Sequence, residues 1–307
     1  MDRLEAMSIL VAVVEAGSFT GASRRLKIPL PTVSRKLAEL EEHIGTRLLT
    51  RSTRRLTLTD AGATYVAACK RILDEIGEAE RAAAGEHLVP KGELVITAPI
   101  VFGRLHVVPV VSEFLETYPD ITIRMLLSDR NVHLLEDHVD VALRIGTLPD
   151  SSMVATRVGT VRQVVCGSPD YFARNGIPPK PADLADMACV TFDVLGSRTT
   201  WTFTGGAKGR NHTVAVRSRL SVNTAGAALA AATLSVGVTR VLSYQAASAV
   251  QDGLLRIVLE AFEPEPLPVY LLHGTQGPLP LKMRSFLDFA VPRLRRRLAA
   301  GPVSGGA

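Results

Sequence analysis

The chain reads as an α/β protein in two parts, a small basic helical head and a larger unit in which strand and helix signals alternate. Three observations lead there. Between Arg24 and Arg55 stand nine Lys or Arg (Arg24, Arg25, Lys27, Arg35, Lys36, Arg47, Arg51, Arg54, Arg55) against three acids (Glu39, Glu41, Glu42), whereas the whole 307-residue chain is only +5. Residues 60–86 sustain one long helical pattern, and from residue 92 onward strands and helices alternate. The length accommodates two or three domains of about 100 to 200 residues each.

Composition narrows the class. Hydrophobic content of 47% and charge of 21% belong to a folded protein rather than a disordered one. Cys69, Cys166 and Cys189 lie far apart with no CxxC pair, which argues against a zinc site or a disulfide framework and points to a reducing cytoplasm. The first apolar run is interrupted by Asp2, Arg3, Glu5 and Glu15 and does not read as a signal peptide. No apolar stretch reaches about 18 residues, so no membrane partner is expected. The basic excess implies an acidic partner, which charge alone does not identify.

In chain order, Leu4, Met7, Leu10, Val11 and Val14 recur at the helical period and define a first helix with one apolar face. Ser18 is placed to cap a short second helix, residues 19–26, anchored by Phe19 and Leu26. Pro29 and Pro31 break the chain. Pro31, tolerated at a first helical position, then opens a third helix over residues 32–44 that stops before Gly45. Val33, Leu37, Leu40 and Ile44 form its inner face, which leaves Thr32, Ser34, Arg35 and Lys36 near its N-terminal end. A major groove about 12 Å wide admits one such helix and is read by residues near its start. Two short strands, residues 48–50 and 55–59, then make a wing whose Arg51 and Arg54 suit phosphates or the minor groove.

These residues carry a resemblance. Gly17-Ser18-Phe19-Thr20, Leu26, Thr32-Val33-Ser34-Arg35, Leu40-Glu41, Gly45, Arg47-Leu48-Leu49, Arg51, Leu58-Thr59 and Ala61-Gly62 resemble the winged helix-turn-helix of the LysR-type transcriptional regulators over about sixty residues. Where that family usually has Ser and often Gln before the recognition helix, this chain has Pro29 and Leu30, so no base contact is carried over to those two positions. The resemblance implies a DNA-binding transcription regulator, not an enzyme, with no cofactor. Its head spans residues 1–59 (helix-turn-helix about 19–38), its linker or dimerisation helix residues 60–87, and its effector domain residues 92–300. DNA-contacting candidates are Ser18, Thr20, Thr32, Ser34, Arg35, Lys36, Arg51, Arg54 and Arg55.

Along the linker, Tyr65, Cys69, Ile72, Ile76, Ala79 and Ala83 alternate at spacings of four and three, the seam of a two-stranded coiled coil, and predict a homodimer. Two heads on one dimer imply an inverted-repeat site on double-stranded DNA. The resemblance extends the partners to a dimer of dimers (homotetramer) and RNA polymerase.

Beyond residue 92 we expect strands at 93–98, 121–127, 139–144, from 162, 188–192, 214–222, 236–241 and 269–273. Helices are expected at 103–118, 132–137, 224–233 and 281–297, and the alternation suggests a parallel sheet. The implied fold is two α/β subdomains similar to periplasmic binding proteins, I at 92–161 and 268–300 and II at 162–267, crossed near Val161 and near 266–268. Ligands in such sheets sit outside the carboxyl ends of strands. That rule selects Pro99, Ile100, Val101 and Phe102, then Arg144 and Gly146, and Asn223 with Thr224 at a helix N-terminus, for a small, moderately apolar and acidic effector.

Competing chemistry is sparse. The seven histidines lack metal-ligand spacing, and residues 205–209 (GGAKG) lack the P-loop pattern and read as a hairpin turn. No GxSxG elbow occurs. Cys166 and Cys189, with no basic cluster nearby, read as buried inert thiols. Arg293, Arg295, Arg296 and Arg297 read as a solvated charge run. A solute-binding protein or enzyme on the α/β part is the rival reading, opposed by the basic head and the lack of an export signal.

Overall fold

The computed structural model describes residues 2–51, 56–83, 89–129, 139–148, 153–192, 200–204, 211–274 and 279–300. Two compact units divide the chain, residues 1–92 and 93–307.

The first unit contains α1 (Arg3–Glu15), α2 (Phe19–Leu26), α3 (Leu30–Ile44), the antiparallel strands β1 (Leu49–Arg51) and β2 (Leu56–Leu58), and α4 (Asp60–Ala83). Asp2 caps α1 by accepting the N–H groups of Leu4 and Glu5. The expected inner face of α1 holds in part: Leu10, Met7, Val11 and Val14 lie in or against the core, but Leu4 does not, and the most buried side is rotated from it. Ala6, Ile9, Leu10, Ala12 and Val13 are buried, Met7, Val11 and Val14 are half-buried, and Leu4 stays 43% exposed. The helix is apolar almost all round and packs against α2, α3 and α4 at once, so its neighbours rather than its own pattern select the buried side. On α4, Val66 and Cys69 are buried in the same core. Cys69 therefore leaves the proposed seam: a fully enclosed side chain presents nothing to a second copy.

The second unit runs β3 (Gly92–Ala98), α5 (Ile100–Phe102), a π-helical turn (Gly103–Val107), α6 (Val108–Thr117), β4 (Ile121–Leu127), β5 (Val141–Ile145) and β6 (Val154–Val161). It continues with β7 (Gln163–Gly167), α7 (Pro169–Asn175), a 3-10 turn (Pro181–Ala185), β8 (Ala188–Phe192), β9 (Thr200–Thr204), β10 (Asn211–Ala215) and β11 (Arg217–Val222). The last elements are α8 (Ala225–Thr233), β12 (Val238–Leu242), α9 (Ser243–Gln251), β13 (Arg256–Val258), β14 (Leu267–His273) and α10 (Leu281–Ala299). The helix expected at 132–137 lies outside the described residues. So do residues 205–209, although β9 and β10 on either side pair antiparallel.

Two five-stranded sheets form, in the orders β4-β3-β5-β14-β6 and β11-β8-β12-β7-β13. They are mixed, not parallel: β3 with β5, and β8 with β11 and β12, run parallel, while β14 opposes β5 and β6, and β7 opposes β12 and β13. The cause is the double crossing. β6 carries the chain out of the first sheet and β14 brings it back alongside, Leu267 facing Val161, so the two must run in opposite directions. Arg162, one residue past β6, clamps the return strand's approach by donating from Nε and Nη2 to both oxygens of Glu263, each at 2.7 Å. Leu94, Ile96, Phe114, Leu143, Leu271 and Phe286 fill the first core, and Tyr171, Phe172, Leu184, Trp201 and Phe203 the second.

The C-terminal arginines are a solvated run only at Arg295 and Arg296, which are exposed, while Arg293 and Arg297 are half-buried. Arg293 bonds Glu113 at 2.9 Å and lies 3.4 Å over the Phe289 ring, Arg295 donates to the Arg157 carbonyl, and Arg297 to that of Leu105. Helical spacing sets Arg293 and Arg297 on one side, toward α6 and the π turn, and only Arg296 remains exposed without such an anchor among the described residues.

Candidate nucleic-acid interface and effector cleft

The head is built around two short helices and a turn. Ser18 accepts the Gly21 N–H at 3.0 Å, so its hydroxyl caps α2. Lys27 ends that helix in the left-handed region at φ 56°, and Ser23 donates to the Ile28 carbonyl at 2.7 Å, closing the turn. The third helix starts two residues earlier than expected, with Leu30 first and Pro31 second. No side chain caps it. Because Pro31 has no N–H to satisfy and its ring presets φ, the helix begins without the missing hydroxyl.

Val33, Leu37 and Leu40 are buried beneath α3, while Arg35 projects with its side chain 67% exposed, its Nη1 3.2 Å from Glu39. Thr32 and Ser34 are half-buried and Thr20 is exposed. Lys36 is placed otherwise: its ammonium pairs with Glu5 on α1 and its side chain is only 19% exposed, so its charge is already answered within the head. Lys36 thereby leaves the outward set. Arg51 lies on β1, its side chain outside the described residues, as are Arg54 and Arg55 altogether.

Sequence reasoning missed what sets the wing. One oxygen of Glu41, on α3, accepts the N–H groups of both Leu48 (2.8 Å) and Leu49 (3.0 Å), joining α3 to the start of β1. Thr59 donates to the Arg47 carbonyl and accepts from Gly62 N–H. At Gly62 the backbones approach so closely that a Cβ would lie 1.9 Å from the Leu48 carbonyl oxygen. Glu15 binds Arg25 of α2 at 2.7 Å and Lys70 of α4 at 3.1 Å. Burial acts to raise its carboxyl, but the hydrogen bonds from Lys70 and Arg25 outweigh it and the pKa falls below the ordinary 4.5.

In the second unit the parallel pairing of β3 and β5 sets Pro99–Phe102 and Arg144–Gly146 at one edge of the first sheet. Asn223 and Thr224 follow the carboxyl end of β11 in the second, where Thr224 caps α8 by accepting from Ala227 N–H. The two edges face each other: Phe102, beyond β3, meets Tyr244, beyond β12, edge to face at 5.4 Å. Phe102 is fully buried there and is wall rather than ligand contact, whereas Ile100 is 39% exposed. The Ile100 N–H already donates to Asp129 Oδ1 at 3.0 Å, so this amide is not free for a ligand carboxylate. Gly146, at φ 103°, donates to the Pro268 carbonyl of the return strand. Arg144 is half-buried, and burial lowers its pKa.

His106, on the π turn, packs against Phe102 (4.8 Å) and Tyr244 (5.6 Å). It is 3% exposed, and neither ring nitrogen has a hydrogen-bond partner among the described residues. Burial, and then the nearby Arg297 charge, push its pKa down to about 4, so the ring is neutral at neutral pH. Burial pushes the thiols of Cys166 and Cys189 up to about 12 and that of Cys69 to about 11, which leaves all three unreactive as thiolates.

Residues 4–63 match the bacterial regulatory helix-turn-helix of the lysR family, and residues 88–295 match the LysR substrate binding domain. An HTH-type transcriptional regulator of Xanthomonas campestris pv. campestris is 37% identical over 93% of this chain and 84% of its own. The structure of CrgA, a LysR-type transcriptional regulator from Neisseria meningitidis, superposes with a TM-score of 0.60 at 30% identity, covering 94% of this chain and 98% of that one. The full-length Vibrio cholerae virulence activator AphB gives 0.59 at 27%, covering 94% and 98%. With both family models matched in chain order and a relative 37% identical along 93% of the chain, this protein belongs to the LysR family of transcriptional regulators.

Proposed function

We propose that the chain acts in the cytoplasm as a homodimer or dimer of dimers on an inverted-repeat promoter site, and that a small molecule held at the facing strand ends sets its effect on RNA polymerase. The carrying observation is the projection of Arg35 from a helix whose opposite face is locked into the head core. In this reading Arg35, Thr32 and Ser34 read base edges, and Thr20, Arg51, Arg54 and Arg55 hold backbone or minor groove. Ile72 and Ile76, half-buried, and exposed Ala79 continue the dimer seam beyond Cys69, with Ala83 next in the repeat. The effector contacts Ile100, Val101, Arg144, Gly146, Asn223 and Thr224. Because Asp129 occupies the Ile100 amide, an acidic group on the effector is received elsewhere, with Arg144 the cation at that sheet edge. No helix among the described residues is long and apolar enough to cross a membrane, which agrees with this setting.

The test is selection of binding sites from random duplexes, followed by salt titration on the selected site. An inverted repeat should emerge, with log affinity falling steeply against log salt, and Arg35→Ala should change which half-sites are preferred. A flat, weak salt response with no selected repeat would refute the reading.

A further inference from the structure

The second subdomain holds a cavity of about 600 Å³, within the size range of small-molecule sites. It lies at the amino ends of β8 and β11, where Ala188 and Arg217 are register partners and both line it, away from the carboxyl ends that face the cleft. Arg217 and Arg219 line it from the exposed edge strand β11. The register slips between Ser218 and Leu220, so Arg219 has no opposite residue, and a bulge of this kind re-aims a side chain. Neither guanidinium has an acidic or hydrogen-bonding partner among the described residues, and Tyr171 lines the same cavity.

The facing wall is fixed in advance. The Tyr171 hydroxyl accepts the Ala188 N–H at 3.0 Å and donates to the Ala188 carbonyl at 3.3 Å. Ser235 is held in the left-handed region, φ 62°, with its hydroxyl 2.7 Å from that of buried Ser168. Such strain persists where surrounding bonds over-determine it. Arg174 adds a third cation, set against two lining acids, Asp186 and Asp183, the latter accepting the Lys180 N–H at 3.1 Å. Three arginines against two carboxylates leave the lining with an excess of one positive charge.

We propose that this cavity is a second small-molecule site, separate from the cleft, for a doubly charged oxyanion, a phosphate or a dicarboxylate, held between Arg217 and Arg219. Isothermal titration of the full chain with inorganic phosphate and, separately, succinate tests it. Saturable binding of at least one anion, near one per chain, is expected. Arg217→Gln with Arg219→Gln should weaken it at least tenfold, whereas Arg296→Gln, removing the same charge elsewhere, should not. The preferred anion assigns the class. If the double variant unfolds, Arg219→Gln alone serves, its fold checked by circular dichroism. The proposal is overturned if neither anion saturates, if the arginine variants bind like wild type, or if Arg296→Gln weakens binding equally.

Discussion

The reading head and the subdomain junction treat polar groups removed from water, half-buried in the one and fully buried in the other, in opposite ways. In the head, the groups that fix the wing are matched: Glu41 takes two amides, and Thr59 both donates and accepts. At the junction, His106 sits in an aromatic cluster with both nitrogens unmet among the described residues, on a π turn, beside Arg297 whose Nε is likewise unmet among them. A matched network specifies one arrangement, while an unmatched buried group costs about 1 to 3 kcal/mol and favours any second arrangement that satisfies it. DNA reading needs one geometry. Sensing needs two, and π turns often mark such places.

The strongest way to break the head's side of this contrast is Gly62→Ala. A Cβ 1.9 Å from the Leu48 carbonyl oxygen forces the backbone of wing or helix to move. We expect about 3 kcal/mol of lost stability, as for severe overpacking, read as a lower unfolding midpoint together with loss of DNA binding. If Gly62→Ala folds and binds as wild type, the head tolerates alternatives and the contrast fails. Next is Glu41→Ala, which leaves the Leu48 and Leu49 amides without their charged acceptor. The expected cost is about 2 kcal/mol, with faster hydrogen exchange confined to β1 and β2. Glu41→Gln, which keeps an acceptor oxygen, should recover part of it.

On the junction's side the sign reverses. His106→Leu removes two unmet nitrogens from an apolar site and should raise stability by about 1 kcal/mol, a few degrees in the unfolding midpoint of the effector unit. The same variant should blunt the response of DNA binding to effector. A clear loss of stability would show that the imidazole is satisfied in the native protein, and the contrast between the two regions would disappear.

Much of this was legible in the sequence where local rules govern. Ser18 as a cap, the apolar spacing of Val33, Leu37 and Leu40, and the strand bounds at 121–127 and 188–192 all follow from periodicity and capping. What escaped depends on contacts distant in sequence. The antiparallel return of β14 depends on a double crossing that alternation does not encode. Lys36 pairs with Glu5, 31 residues away, and no spacing rule on α3 anticipates it. Of the effector candidates, Phe102 turned inward because an aromatic partner, Tyr244, stands far along the chain. The cavity at Arg217 and Arg219 depends on a bulge that the alternation of residues 217–222 does not announce.

The smallest effect sharpens the contrast by asking what ties the linker helix to the head. Glu15 holds Arg25 and Lys70 together, and its folded pKa is below 4.5, so the unfolded chain binds its proton at higher pH than the folded one. The stabilisation is therefore complete above the unfolded pKa and is lost as pH falls through the lowered folded value, in the region below about pH 4.5. Arg25 is 60% and Lys70 42% exposed at the side chain, so solvent screens both pairs and the whole contribution should be at most about 1 kcal/mol. Unfolding followed from pH 7 downward should show Glu15→Gln less stable than wild type at pH 7, with the gap narrowing as pH falls below about 4.5. A gap that stays constant through that fall would mean that Glu15 acts through packing instead of charge, and the head's matched network would then lose its electrostatic tie to α4.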